Sequence, residues 1–248
     1  MSAPTTVLVN REEAGRSLPV FVWRFPGPAL CLASGPLGGG PGERPWMINA
    51  TVDGAYARLD PDVHLGEIVR AVGLTGEGVG MLTAVDVREA VTAEDDGVHV
   101  VATVGLGYPT WAAAPDGEAP RAGTINIGAW LPVAMSPAAL VNAVSTITEA
   151  KAQALWAHGV EATGTASDAL CVACVPDGRP EPYGGPRSVW GARLARAVHA
   201  AVLEGTSGWL NRYGDGRRGR PSSDNLGGTP GSSRGRPPSG HPFCDGPV

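Results

Sequence analysis

Two β-rich apolar runs open the patterned part of the chain, LPVFVWRF at 18–25 and ALCLASG at 29–35. They are separated by Pro26-Gly27-Pro28 and predict two strands, followed by a glycine loop GPLGGGPG at 35–42. WMINATVD (46–53), GVGMLTAV (78–85) and VHVVATVGLG (98–107) predict three more strands. DVHLGEIVRAVG (62–73) reads as a short helix with Asp62 as N-cap and Gly73 as its stop, and DVREAVTAED (86–95) as a short helix or turn. In GTINIGAWLPVAM (123–135), Ile125, Ile127, Ala129, Leu131 and Val133 alternate with Thr124, Asn126, Gly128 and Trp130, so one face of this strand is apolar and the other carries polar groups. Ser136 and Pro137 then give an N-cap and first-turn proline for a long helix that stops at Gly159. A polar loop EATGTASD (161–168) leads to the strand ALCVACV (169–175), and PRSVWGARLARAVHAAVLEG (186–205) predicts a last helix. About seven strands and three or four helices, in an order that is neither strict alternation nor all hairpins, predict a single α+β domain with a mixed sheet.

Composition changes this picture at one end. Many of the 36 glycines and 23 prolines lie after Arg212, where almost no apolar residue recurs and no period of 2 or 3.6 is present. A segment of that composition cannot bury enough surface to offset its ordering entropy, so the expected organisation is a domain over 1–211 and a disordered tail over 212–248. Six of the 19 basic and three of the 24 acidic residues lie in that tail, which leaves residues 1–211 with a net charge of −8. An acidic body argues against nucleic-acid binding. The first twenty residues have no basic and apolar leader pattern, and no run approaches 18 apolar residues, so a cytoplasmic protein with no membrane association is expected. Four cysteines give no disulfide framework. The oligomeric state, a homo-oligomer included, is left open by these patterns.

The candidate chemistry begins with Lys151, the only lysine beside 18 arginines. On the long helix it falls in line with Leu140, Val144, Ile147 and Leu155, in the apolar stripe, while Asn142, Thr146, Glu149 and Gln153 form a polar stripe opposite. Two readings stand: a snorkelling side chain whose stem packs while its ammonium reaches water, or a cation held in a partly dry site where arginine would be too large. The strand ending near Val133 turns back through three residues into the helix, so the two run antiparallel. Lys151, about 22 Å up the helix at 1.5 Å per residue, is level with Thr124 to Asn126. The loop TGTASD, folded over the same end, would add Thr163, Thr165, Ser167 and Asp168.

Other motifs are negative. The glycine loop lacks the Lys-Ser/Thr ending of a phosphate cradle and precedes no helix. Cys171 and Cys174 lie inside an apolar strand and read as core thiols. The five histidines show no metal-ligand spacing, and no GxSxG elbow is present, so no metal site is expected.

PLGGG (36–40), GMLTAVDV (80–87), TVGLG (103–107), GTINI (123–127), TEAKAQAL (148–155), ATGTASDA (162–169) and YGGPRSVWG (183–191), in this order and spacing, resemble the adenosylcobinamide amidohydrolase family of corrinoid salvage. The resemblance runs from about Phe21 to Val202. One departure is Gly107-Tyr108, where similar sequences carry a serine-asparagine pair. The resemblance implies an enzyme that hydrolyses the amide between a corrin propionyl side chain and the aminopropanol linker of adenosylcobinamide, releasing adenosylcobyric acid. The cobalt would belong to the substrate, and no cofactor is implied. Amide hydrolysis needs an activated water or nucleophile, donors for the oxyanion and an acid for the amine. On that basis Asp168 or Glu149 would be the base, Lys151 with Asn126 would stabilise the oxyanion, and Thr165 would position the substrate, with Thr165 or Thr124 as alternative nucleophiles. Gly38, Gly39, Gly40, Asn49, Thr124 and Thr163 would contact the corrinoid. Each of these residues also has a reading as a cap, turn or sheet-edge hydrogen-bonder. The rival functions are a non-catalytic corrinoid-binding or sensing protein on the same scaffold and an unrelated hydrolase or transferase.

Overall fold

Pro26-Gly27-Pro28 does not separate two strands. The computed structural model describes residues 3–115 and 123–214, and in it Arg16–Ala33 form one long strand, β2, that follows β1 (Thr5–Glu13). The proline segment is absorbed as a register shift between Arg24 and Ala29 in the pairing of β2 with β3 (Gly40–Thr51). Prolines lack the N–H that a regular ladder needs, and an irregularity is where a strand tolerates them.

The remaining elements are α1 (Pro61–Ala71), β4 (Val79–Thr83), a 3₁₀ turn (Val87–Glu89), β5 (Val91–Asp95), β6 (Val98–Gly105), β7 (Pro109–Thr110), β8 (Thr124–Leu131), α2 (Pro137–Ala157), β9 (Gly164–Thr165), β10 (Ala169–Cys174) and α3 (Val189–Tyr213). The main sheet has eight strands in the order β4-β3-β2-β10-β8-β6-β5, with β1 on β2, and β7 pairs with β9. β3 with β4 and β8 with β10 are parallel and the other pairs antiparallel, so this is the mixed α+β sheet expected.

One face of the sheet carries the helices. Val100, Ile127 and Val172 pack under α2 and α3, through Ile147, Leu155, Leu194 and Val198. Val20, Ile48 and Ala50 pack under α1, through Leu65 and Ile68. The opposite face folds upon itself: Phe21, Trp23, Met47, Met81, Trp130 and Cys171 share one cluster. Gly128 of β8 permits this approach, since a Cβ there would lie 2.6 Å from Met47 Cε.

Several elements differ from expectation. β1 was not anticipated from the pattern. In 86–95 only Val87–Glu89 are helical, and the rest is β5. Asp60 occupies the N-cap position of α1 and Pro61 its first turn, which moves Asp62 inside the helix. Thr146, expected on the polar stripe, is buried because the loop before α3 covers that side of α2, and its hydroxyl donates to Gly184 O at 2.9 Å. α3 continues to Tyr213, past the expected end at 205 and into the start of the expected 212–248 tail, the rest of which, from 215, lies outside the described residues. Cys31, Cys171 and Cys174 are buried free thiols. No described helix is long and apolar enough to cross a membrane.

Candidate functional site

β8, α2 and β10 form a parallel crossover, with Ala169 in register with Asn126. Asp168 therefore sits just before β10, beside the start of β8, and the C-terminal half of α2 returns to the same end. Lys151 is 9% exposed there, and its Nζ forms an ion pair with Asp168 Oδ2. Asp168 Oδ1 also accepts from Ile125 N at 2.9 Å and Thr165 Oγ1 at 2.5 Å, and Oδ2 accepts from Thr165 N at 3.1 Å. Gly164 is required for this closeness, because a Cβ would lie 2.5 Å from Lys151 Nζ and nearer still to Asp168 Oδ2.

Counting protons orders the neighbouring hydroxyls. Ser167 Oγ donates to Gly123 O at 2.9 Å, which makes Thr124 Oγ1 the donor in its 2.8 Å contact with Ser167 Oγ. Thr165 Oγ1 lies 2.6 Å from Gly123 O as well as near Asp168, and its single proton serves the charged acceptor better. Thr124 and Ser167 line a pocket of about 300 Å³ whose other walls include Pro36, Asp53, Tyr56 and Leu82.

The expected site residues separate into three groups. Lys151, Asp168, Thr165 and Thr124 meet at one end of β8 and β10. Asn126 and Asn49 meet in the folded inner face: Asn126 Nδ2 donates to Asn49 Oδ1 at 2.9 Å and to Leu82 O at 2.8 Å, and Asn49 Nδ2 donates to Thr103 Oγ1 at 2.9 Å. Asn126 thus lies behind Leu82, and its buried Oδ1 has no protein partner. The third group lies elsewhere. Glu149 is on the exposed side of α2, away from Lys151. Thr163 holds the β7–β9 connection, with Oγ1 accepting from Ala112 N at 2.9 Å. Gly38 and Gly40 take positive φ of 65° and 81°, and a Cβ on Gly39 would be 2.6 Å from Gly35 O, so turn geometry accounts for the three glycines.

A second polar cluster was not anticipated. His64 of α1, 3% exposed, has Nε2 at 3.2 Å from Glu13 Oε1 and Nδ1 at 3.1 Å from Tyr56 Oη, with the Tyr56 and His64 rings stacked at 15°. Arg11 donates to Glu13 Oε2 through Nε at 3.0 Å and Nη2 at 2.6 Å, and Nη2 also donates to Thr51 O at 2.9 Å. Partial burial pushes the Glu13 carboxyl up, but Arg11 and His64 outweigh it and hold it below its ordinary value. Burial raises Tyr56 against the opposing charge of Arg58. The one signal in the sequence is the Arg11-x-Glu13 spacing, which puts both side chains on one face only if 5–13 is a strand. Among the described residues, no group of three or more His, Cys, Asp or Glu is placed to hold a metal ion.

A family model described as adenosylcobinamide amidohydrolase matches residues 5–214. A Methanosarcina mazei protein named adenosylcobinamide amidohydrolase is 30% identical over 178 residues, 68% of this chain and 86% of the relative. A Halobacterium salinarum protein of the same name is 37% identical over 129 residues, 49% of this chain and 55% of the relative. The crystal structure of the PH0078 protein from Pyrococcus horikoshii OT3 covers 82% of both chains at 11% identity, with a TM-score of 0.40, too low to bear on fold or function.

Proposed function

Because this chain belongs to the adenosylcobinamide amidohydrolase family, we propose that it hydrolyses the amide between a corrin propionyl side chain and the aminopropanol linker of adenosylcobinamide, giving adenosylcobyric acid. The observation that carries the location is the pocket edged by the Thr124–Ser167 hydroxyl pair and by Ala169, with Asp168, between Ser167 and Ala169 in the chain, held in a buried ion pair with Lys151. At about 300 Å³ it is at the small end of ligand sites. It suits one amide arm with its aminopropanol, while the corrin ring stays outside. The cobalt enters as part of the substrate, and no resident cofactor is invoked.

In this reading the Thr124 hydroxyl oxygen, whose proton is committed to Ser167, accepts from the substrate's amide N–H, and the Lys151 ammonium sets a positive potential on the dry side of the site, where the tetrahedral oxyanion develops. Asp168 holds the 163–168 loop and fixes Lys151. Both of its oxygens already accept hydrogen bonds, so it is a poor acceptor for a proton from water. The test is incubation of the purified full chain with adenosylcobinamide, followed by mass spectrometry. Adenosylcobyric acid and aminopropanol are expected, and bound corrinoid that stays intact would replace this reading with a sensing role. Thr124→Val with Ser167→Ala lowers kcat by about 100-fold, the scale of losing the alignment of the amide, with corrinoid binding retained.

A further inference from the structure

We propose that Tyr56, seated by His64 and Glu13, is the proton-transfer group of this site, taking a proton from the attacking water and returning it to the departing amine. The inference rests on the reading of the pocket as the place where the amide is cleaved. Its starting point is a gap in that machinery. On the β8–β10 side the hydroxyls of Thr124 and Ser167 run in a chain that ends on Gly123 O, and Asp168 is saturated by backbone, hydroxyl and ammonium donors. Nothing on that wall takes up a proton as the amide is attacked.

Tyr56 lines the same pocket from the loop between β3 and α1. Behind it the polar contacts form a line: phenol oxygen to His64 Nδ1, His64 Nε2 to Glu13, and Glu13 to Arg11. His64 is 3% exposed on a helix face otherwise made of Leu65, Ile68 and Val69. Its two ring nitrogens are both partnered by side chains, a carboxylate at Nε2 and a phenol at Nδ1. Glu13 accepting at Nε2–H selects the tautomer whose Nδ1 accepts from the phenol, the arrangement by which a carboxylate orients a catalytic imidazole. Arg11 is 6% exposed and anchored to Thr51 O, so the carboxylate is itself held in place. The net downward shift of Glu13 keeps it charged, and the upward shift of Tyr56 keeps it a phenol at rest.

The proton balance closes over two steps. Water adds its oxygen to the amide carbon and its proton passes to the Tyr56 oxygen, while the original phenolic proton moves to His64 Nδ1, giving an imidazolium against Glu13. When the C–N bond breaks, that proton returns from Nδ1 to the Tyr56 oxygen as the phenol gives its proton to the nitrogen. The products are the carboxylic acid and the free amine, with the relay restored. Asp53 is the other titratable group of the pocket, but it is engaged by Arg16 and by Ala55 N at 2.8 Å.

The test compares two substrates in the full-length protein: adenosylcobinamide, whose alkylamine leaves only when protonated, and the p-nitroanilide of adenosylcobyric acid, whose amine leaves without that help. Tyr56→Phe is expected to lower kcat for adenosylcobinamide by about 100-fold or more, to change KM by less than about threefold, and to lower turnover of the anilide, which loses the help to the attacking water but not that to the leaving amine, by a factor at least about tenfold smaller. His64→Gln, a positioning variant, should show the same split between substrates. Wild-type turnover of adenosylcobinamide by Tyr56→Phe, an equal loss on both substrates, or a loss reproduced by Asp53→Asn but not by Tyr56→Phe would each overturn the relay while leaving the site assignment standing. A wild-type protein that turns over neither substrate would overturn the site assignment and the relay together.

Discussion

Lys151 and Asp168 share a pocket of low dielectric in which neither charge is tolerable alone. Removing one partner of such a pair costs about 3 kcal/mol or more, because the other is left buried and uncompensated. Lys151→Met is therefore expected to destabilise the protein by about that amount and to abolish turnover, whereas Lys151→Met with Asp168→Asn should regain part of the stability and none of the activity. Urea unfolding of the two single variants and the double variant gives the coupling. The question raised by a single lysine among arginines thus has a physical answer: a compact ammonium on a long stem reaches Asp168 past Gly164, with no space for a side chain on the glycine.

Element packing depends on two glycines whose constraints differ in kind. A Cβ on Gly128 would meet the flexible end of Met47, while one on Gly184 would meet the backbone of α2 at Ala139 and, at 2.9 Å, Ala143 N. Side-chain ends can move aside and helix backbone cannot. Gly128→Ala should cost about 1 kcal/mol and Gly184→Ala about 3 kcal/mol, the two ends of the overpacking range, read from denaturant midpoints at constant m-value. The seam between β1 and α1 is electrostatic. Glu13 has its carboxyl held below the ordinary 4.5 in the folded state, so the unfolded chain binds this proton first as pH falls. Its contribution to stability is complete above about pH 4.5, declines below it and is gone once pH passes the lowered value. The stability gap between wild type and Glu13→Gln is accordingly expected at neutral pH and should close on acidification through that window, as followed by chemical unfolding at a series of pH values.

For the molecule as a unit, the controlling feature is a mixed sheet that bears helices on one face and folds its other face inward, so that β3 side chains meet β6 and β8. α3 closes the outer face to its last turn. Thr206 is fully buried, and Arg212 pairs with Glu89 at 2.7 Å. A chain ending at Gly214 is expected to keep the thermal midpoint and turnover of the full-length protein. A chain ending at Gly205 should lose about 5 °C or more of Tm, roughly 2 kcal/mol for a protein of this size, with thermal unfolding by circular dichroism as the measurement.

Elements with one dominant local signal were legible in the residues. The alternation in 123–131, the Ser136-Pro137 start of α2 and its stop at Gly159, and the antiparallel return that sets Lys151 level with Thr124 depend on backbone period and rise, which are local properties. The strand over 5–13 was not legible, because it is exposed along most of its length and has little apolar alternation, and its pairing with β2 is what makes it a strand. Nor could local rules show that Pro26-Gly27-Pro28 bends a strand without ending it. The site divides in the same way. Lys151, Asp168, Thr165 and Thr124 come from one crossover unit, so helix pitch and strand rise bring them within reach of one another. Glu149 could be told from Lys151 by direction but not placed in solvent, and the burial of Thr146 required the loop at 183–188. The contact between Glu13, His64 and Tyr56 joins three elements whose approach is set by how the sheet curls and where α1 docks, and no spacing along the chain encodes that.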